Sequence, residues 1–241
     1  MNETHTATRS TGSFGPALAG GVIGAALTAA LLVFAAPDYL ATKIVRHGLL
    51  SDPNILSETV DAMRDRQYEP VLAANRALIE KPFASSWKGA AKPDVTLVEF
   101  FDYACPYCKA SNPHVDRLVQ EDKGLRVVYR ELPILGPDSV TAARLSLEAS
   151  KAGRFAQFHD TLWEAGRPGP ETLARAAQAA GIPMATPENA ASEAELKQNF
   201  ALASKLGATG TPLFVVGDKV MNGAVGYEQL KQAIADARKK A

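Results

Sequence analysis

The sequence predicts an α/β fold: one strand–helix–strand unit, an inserted helical layer, and a closing hairpin and helix. Three observations predict it. A nearly unbroken apolar run, Val95 to Phe101, leads straight into Cys105-Pro106-Tyr107-Cys108. Between about 137 and 199, helix-length stretches are punctuated by glycine and proline. Near the end, Gly210-Thr211-Pro212 precedes a short apolar run and the turn Gly217-Asp218. The expected order is a tail (1–14), a transmembrane helix or signal peptide (15–36), a helical stalk (37–92) and the α/β domain (93–241).

Composition narrows the function classes. At 241 residues the chain has room for one substantial core with extensions. Its 26 basic and 26 acidic residues balance, so no basic surplus points to nucleic acid. Two cysteines are too few for a disulfide framework and enough for one reactive pair. Gly15 to Ala36 carries no charge over 22 residues, close to the roughly 20 that span a bilayer core. The expectation is a single-pass inner-membrane anchor with the domain in a bacterial-type periplasm. Cleavage after Ala35 or near Ala41 would leave a soluble periplasmic protein, but Pro37 and the bulky Phe34 and Tyr39 make that site poor. Gly20 and Gly24 have the spacing that lets membrane helices approach, a hint of self-association.

In chain order, Asp52 looks like an N-cap with Pro53 at the first helical position. Ile55, Leu56, Thr59, Val60 and Met63 follow at helical spacing. That helix is expected to end or kink before Pro70, with a second piece from Val71 to Ile79. The stalk is amphipathic, so its apolar face must bury against its own domain or a partner copy. Val95–Phe101 has the continuous apolar character of a central strand. The next helix should run from Cys105 to about Lys123, kinked by Pro113 and capped by Gly124; Leu125–Leu132 is the next, parallel strand. Helices then end at Gly153, Gly166, Gly181 and Gly207, the last starting after Thr186-Pro187 or Ser192. Leu213–Val216 and Lys219–Met221 form the hairpin, and Tyr227–Lys239 closes the chain.

The chemistry centres on the two sulfurs. A thiolate is the attacking species, and a helix N-terminus stabilises it through free N–H groups and the helix dipole. Cys105 takes that place and is expected to be exposed and nucleophilic; Cys108, one turn in, is its buried partner. A structural disulfide is the inert alternative, and a zinc site would need ligands beyond His114. Glu99 interrupts an apolar strand: either it faces water at an edge, or it is buried with a raised pKa and exchanges a proton with Cys108. Pro212 opens an ordinary turn or a cis one. His159, among Phe155, Phe158 and Trp163, is expected to be a packing residue, as are Tyr103, Trp163 and Phe214. No metal or cofactor is expected.

Taken together, the order strand, Cys-Pro-Tyr-Cys, helix, strand, helical insertion, Thr-Pro, hairpin, helix resembles the DsbA-like branch of the thioredoxin superfamily, from about Pro93 to Ala241. The resemblance implies a thioredoxin fold with an inserted helical domain, and Cys105 as nucleophile with Cys108 as resolving residue. It implies a cis Pro212 against the pair, with Thr211 offering backbone hydrogen bonds to an extended substrate and Pro106 and Tyr107 lining the site. Glu99 matches a family glutamate six residues before the first cysteine. The implied activity is protein thiol–disulfide exchange on folding proteins, as oxidase or isomerase, recharged by a membrane redox partner. Pro-Tyr between the cysteines departs from the Pro-His of the best-known oxidase. The stalk is similar to that of Com1-like and ScsC-like members, some of which self-associate and act as isomerases. The competing classes are an anchored binding module with a structural disulfide and, more distantly, a glutaredoxin.

Overall fold

The computed structural model describes residues 37–52, 54–185 and 189–240. The predicted anchor, 15–36, lies outside them, as do Pro53 and Thr186-Pro187. Among the described residues no helix is long and apolar enough to cross a membrane. The chain divides between Asp61 and Ala62 into two compact units.

Two helices lead, α1 (Pro37–Ser51) and α2 (Asn54–Glu80). The Asp52 carboxylate accepts a hydrogen bond from the Asn54 amide at 3.0 Å, as an N-terminal cap does. α2 does not end before Pro70 but continues through it as one helix. Pro70 is exposed, so only one backbone bond is forfeited there, while Leu72 and Ile79 beyond it are buried and hold the helix down.

The domain carries β1 (Trp87–Gly89), β2 (Val95–Phe101), α3 (Pro106–Glu121) and β3 (Leu125–Glu131). Four helices follow, α4 (Pro137–Lys151), α5 (Phe155–Ala165), α6 (Pro170–Ala180) and α7 (Ala190–Lys205). The chain closes with β4 (Leu213–Val216), β5 (Lys219–Asn222) and α8 (Tyr227–Lys240). α3 also runs through its proline, Pro113, and ends at Asp122 rather than Gly124, with the Asp122 amide bonded to the Leu118 carbonyl. α7 begins at Ala190, after Thr186-Pro187 and ahead of Ser192; Asn189 caps it, accepting from the Ala191 amide at 2.9 Å. Ser192 instead lies within it, donating to Glu148.

The five strands are ordered β1-β3-β2-β4-β5. β2 and β3 are parallel, with Glu99 opposite Tyr129 and Phe101 opposite Glu131; β1, β4 and β5 join antiparallel. β2 is thus central, and its side chains alternate between two covered faces. Leu97, Phe101, Val127, Tyr129, Phe214 and Val216 pack under α3, α4, α5, α6 and α8. Val98, Phe100, Val128, Leu213 and Val215 pack under Leu72 and Ile79 of α2 and Leu202 of α7. This is the thioredoxin-like α/β sheet with a helical insertion between β3 and β4.

Candidate active site

β2 ends in a turn that is tied down before it reaches the first sulfur. The Asp102 carboxylate accepts from the amides of Ala104 (2.8 Å), Ile134 (2.8 Å) and Leu135 (2.9 Å), and its carbonyl accepts from the Cys105 amide at 3.0 Å. One side chain therefore joins the β2–α3 turn to the loop after β3. Asp102 was not singled out from the sequence, although an aspartate directly after a strand is the signature of a side chain that bonds its own turn.

Cys105 is the N-cap of α3, in extended conformation, with Pro106 at the first helical position. Its sulfur accepts from the Cys108 amide at 3.5 Å and its thiol donates to the Thr211 carbonyl at 3.2 Å. Both cysteines are free thiols. The Thr211–Pro212 peptide is cis. The expectation that Cys105 is exposed is corrected: it is 4 % exposed, because the Thr211 carbonyl lies against its thiol. The exposed residues of the motif are Pro106 and Tyr107. Cys108 is wholly buried.

Beneath the pair, Glu99 is 3 % exposed, on the same face of the central strand as Phe101. Of its two predicted placements the buried one holds, because β4 covers the edge that would otherwise meet water. Burial first, and the nearby Asp116 carboxylate second, push its pKa up to about 8, with Lys88 opposing. Burial also pushes the Cys108 thiol far above its ordinary range, and the Glu99 charge pushes the same way. Each group thus disfavours the other's anion, and near neutral pH both hold protons. Lys88, on β1, bridges Asp116 of α3 (2.9 Å) and Asp160 of α5 (2.5 Å) above this acid. It went unnoticed because β1 is three residues long and shows no periodicity.

His159 is the packing residue expected, buried and hydrogen-bonded to Tyr103 and Trp163. Trp163 and Phe214 are core as well. The arrangement brings Cys105, Cys108, Glu99, Thr211 and Pro212 together at one end of the sheet. A free thiol at a helix N-cap, a buried second thiol and a proton-holding acid are the parts that thiol–disulfide exchange requires.

Residues 96–235 match the model of the DSBA-like thioredoxin domain. The chain is 41% identical to a thioredoxin-like oxidoreductase from Silicibacter pomeroyi DSS-3, covering 68% of this chain and 98% of that one with a TM-score of 0.62. It is 28% identical to the catalytic domain of Proteus mirabilis ScsC, over 71% of this chain and 98% of that one, TM-score 0.65. Among curated proteins it is 30% identical to disulfide bond formation protein D of Bacillus subtilis strain 168, over 58% of this chain and 71% of that one. Two Salinispora Na(+)/H(+) antiporters also match, at 27% and 29% identity, and the chain spans about a quarter of their length (28% and 24%). With 140 of its residues inside the family's domain, the chain belongs to the DsbA-like thioredoxin family.

Proposed function

We propose that the protein is a thiol–disulfide oxidoreductase that forms or rearranges disulfides in folding proteins outside the cytoplasm. The observation that carries this is the free Cys105 thiol at the N-cap of α3, held against the Thr211 carbonyl, with Cys108 and Glu99 buried behind it. In the oxidising direction, a substrate thiolate attacks Cys105 of the Cys105–Cys108 disulfide and Cys108 leaves with the bond's electron pair. The Glu99 carboxyl protonates that otherwise costly buried thiolate. A second substrate thiol then attacks its own sulfur in the mixed disulfide, and Cys105 departs as a thiolate steadied by the helix N-terminus. The substrate leaves oxidised, the pair reduced, and a membrane redox partner restores the disulfide. In the isomerising direction, reduced Cys105 attacks a wrong disulfide and Cys108 releases stalled adducts.

Thr211 and Pro212 form the edge a substrate backbone meets, and exposed Pro106 and Tyr107 flank it. An extracytoplasmic site fits the chemistry, since stable protein disulfides form in oxidising compartments. A periplasmic thioredoxin-like protein from Salmonella enterica serovar Typhimurium, 30% identical, also supports it. The segment 15–36 would anchor the chain to the inner membrane. The isomerase alternative is favoured by the exposed apolar residues of α1 and α2, which would join copies.

Cys108→Ser should accumulate a mixed disulfide with a reduced or scrambled protein substrate, and Cys105→Ser should accumulate none. If alkylation of Cys105 at mildly acidic pH is no faster than that of an ordinary thiol, and no adduct forms, a structural disulfide replaces the enzyme reading.

A further inference from the structure

The Thr211 carbonyl lies 3.2 Å from the Cys105 sulfur, so whatever reaches that sulfur passes along it. Its own stretch of chain does little to hold it. The Ala208 amide still bonds back to Ala203 of α7, and β4 begins only at Leu213. In between, the Thr211 hydroxyl is buried without a hydrogen-bond partner among the described residues. The holds come instead from the end of β5. Asn222 Oδ1 accepts from the Thr209 amide at 3.2 Å, and Asn222 Nδ2 donates to the Gly207 carbonyl at 3.4 Å. The Gly223 amide donates to the Pro212 carbonyl at 2.8 Å.

Register and chemistry explain why Asn222 takes this place. It closes β5 directly opposite Leu213, the residue on which the loop enters β4. A side-chain amide carries both a donor and an acceptor, so one residue can hold a carbonyl and an N–H two positions apart. Gly223 follows with a φ of 86°, a conformation that other residues avoid, and its N–H turns back to Pro212. The loop also abuts α2: a Cβ at Gly207 would lie 1.8 Å from the Tyr68 hydroxyl oxygen. It is thus packed against α2 while Asn222 bonds it from β5.

We propose that Asn222 is a positioning residue for the exchange: its side chain fixes the loop that sets Thr211 and Pro212 beside Cys105, and so pre-forms the edge on which a substrate peptide lies. A loop held this way has lost its freedom before the substrate arrives, so binding does not have to order it. A small dithiol has no backbone to lay along the edge. The Cys105–Cys108 disulfide has no S–H, so the thiol–carbonyl bond plays no part in its reduction. Peptide substrates should therefore depend on Asn222, and small dithiols should not.

The inference rests on the exchange activity and the substrate edge proposed above, and its test keeps the activity and the positioning apart. The oxidised full-length protein is mixed with a peptide carrying two cysteine thiols, or with dithiothreitol. In each case two thiols give up two electrons and two protons and close a disulfide, and the Cys105–Cys108 bond takes them up to become two thiols. Asn222→Ala should lower the second-order rate constant for the peptide roughly three- to tenfold, as loss of one or two hydrogen bonds implies, and leave that for dithiothreitol within about twofold. Asn222→Asp keeps the acceptor for the Thr209 amide and should lie between Asn222→Ala and the wild type. Should Asn222→Ala fail to fold, Asn222→Ser, too short to make both bonds, carries the same expectation. If the two constants fall together, or neither falls, the proposal is overturned, because Asn222 then serves only the fold. A wild-type disulfide that the peptide does not reduce overturns the exchange activity itself.

Discussion

A carboxyl with a pKa near 8 in the folded chain and about 4.5 unfolded binds its proton more tightly when native. Protons therefore favour folding: the contribution of Glu99 is complete below about pH 4.5 and is lost as pH rises toward 8, at about 1.4 kcal/mol per unit. Glutamine at this position has nothing to lose. Glu99→Gln should thus gain on the wild type by roughly 2–3 kcal/mol between pH 4.5 and 7. Urea unfolding of the reduced proteins at those two pH values checks this, and parallel profiles would refute it. In the mechanism proposed above the same substitution removes the acid that would protonate Cys108, so exchange through Cys105 should slow on the order of a hundredfold. Greater stability with lower activity is the combination to look for. The sequence showed Glu99 as an anomaly, a charge in an apolar strand, but not its burial, which depends on β4 pairing along the other edge of β2. Lys88 and Asp116, which tune it, come from separate elements and left no local pattern.

Among the elements, α2 is joined to the sheet by one buried cation. Arg130 of β3 is 2 % exposed and donates to the carbonyls of Leu78, Ile79 and Lys81 at the C-terminal end of α2. It also pairs with Glu195 (2.9 Å) and with Asn199 Oδ1 (2.7 Å) on α7. The last carbonyls of a helix lack partners within it, and a guanidinium satisfies several at once while meeting the negative end of the dipole. Arg130→Met should cost about 3–5 kcal/mol, since it strands Glu195 and the carbonyls; Arg130→Lys should not rescue it, lacking the forked donors. Chemical denaturation of each variant measures the loss, and a cost below about 1 kcal/mol, the scale of a surface pair, would show that water substitutes for the guanidinium. Helix ends of the insertion were legible because Gly153, Gly166, Gly181 and Gly207 all adopt positive φ, which other residues avoid. Arg130 was not, because its partners lie 49 to 69 residues away.

At the scale of the molecule, the order of elements in the domain was legible because each was marked by its own residues: apolar run, Cys-x-x-Cys, glycine stops, Thr-Pro, hairpin turn. What covers the leading helices was not. Ile44, Val45 and Leu50 of α1 and Leu56, Val60 and Met63 of α2 are exposed. Leu56 and Val60 fall at positions i and i+4 of their helix. Large apolar side chains left in water forfeit about 25 cal/mol per Å², and contiguous ones mark a surface that is normally covered. Every copy of the chain carries these residues, so the proposed joining of copies can be tested through them. Light scattering of the detergent-solubilised protein should then give a multiple of the 25.6 kDa chain mass, after allowance for detergent. Leu56→Glu with Met63→Glu should return it to one chain. The glutathione equilibrium of Cys105 and Cys108 should stay unchanged in that variant, because neither residue touches the site, while recovery of a scrambled multi-disulfide substrate should fall. A wild-type mass of one chain would remove the support for an isomerase of joined copies and leave the oxidase direction favoured.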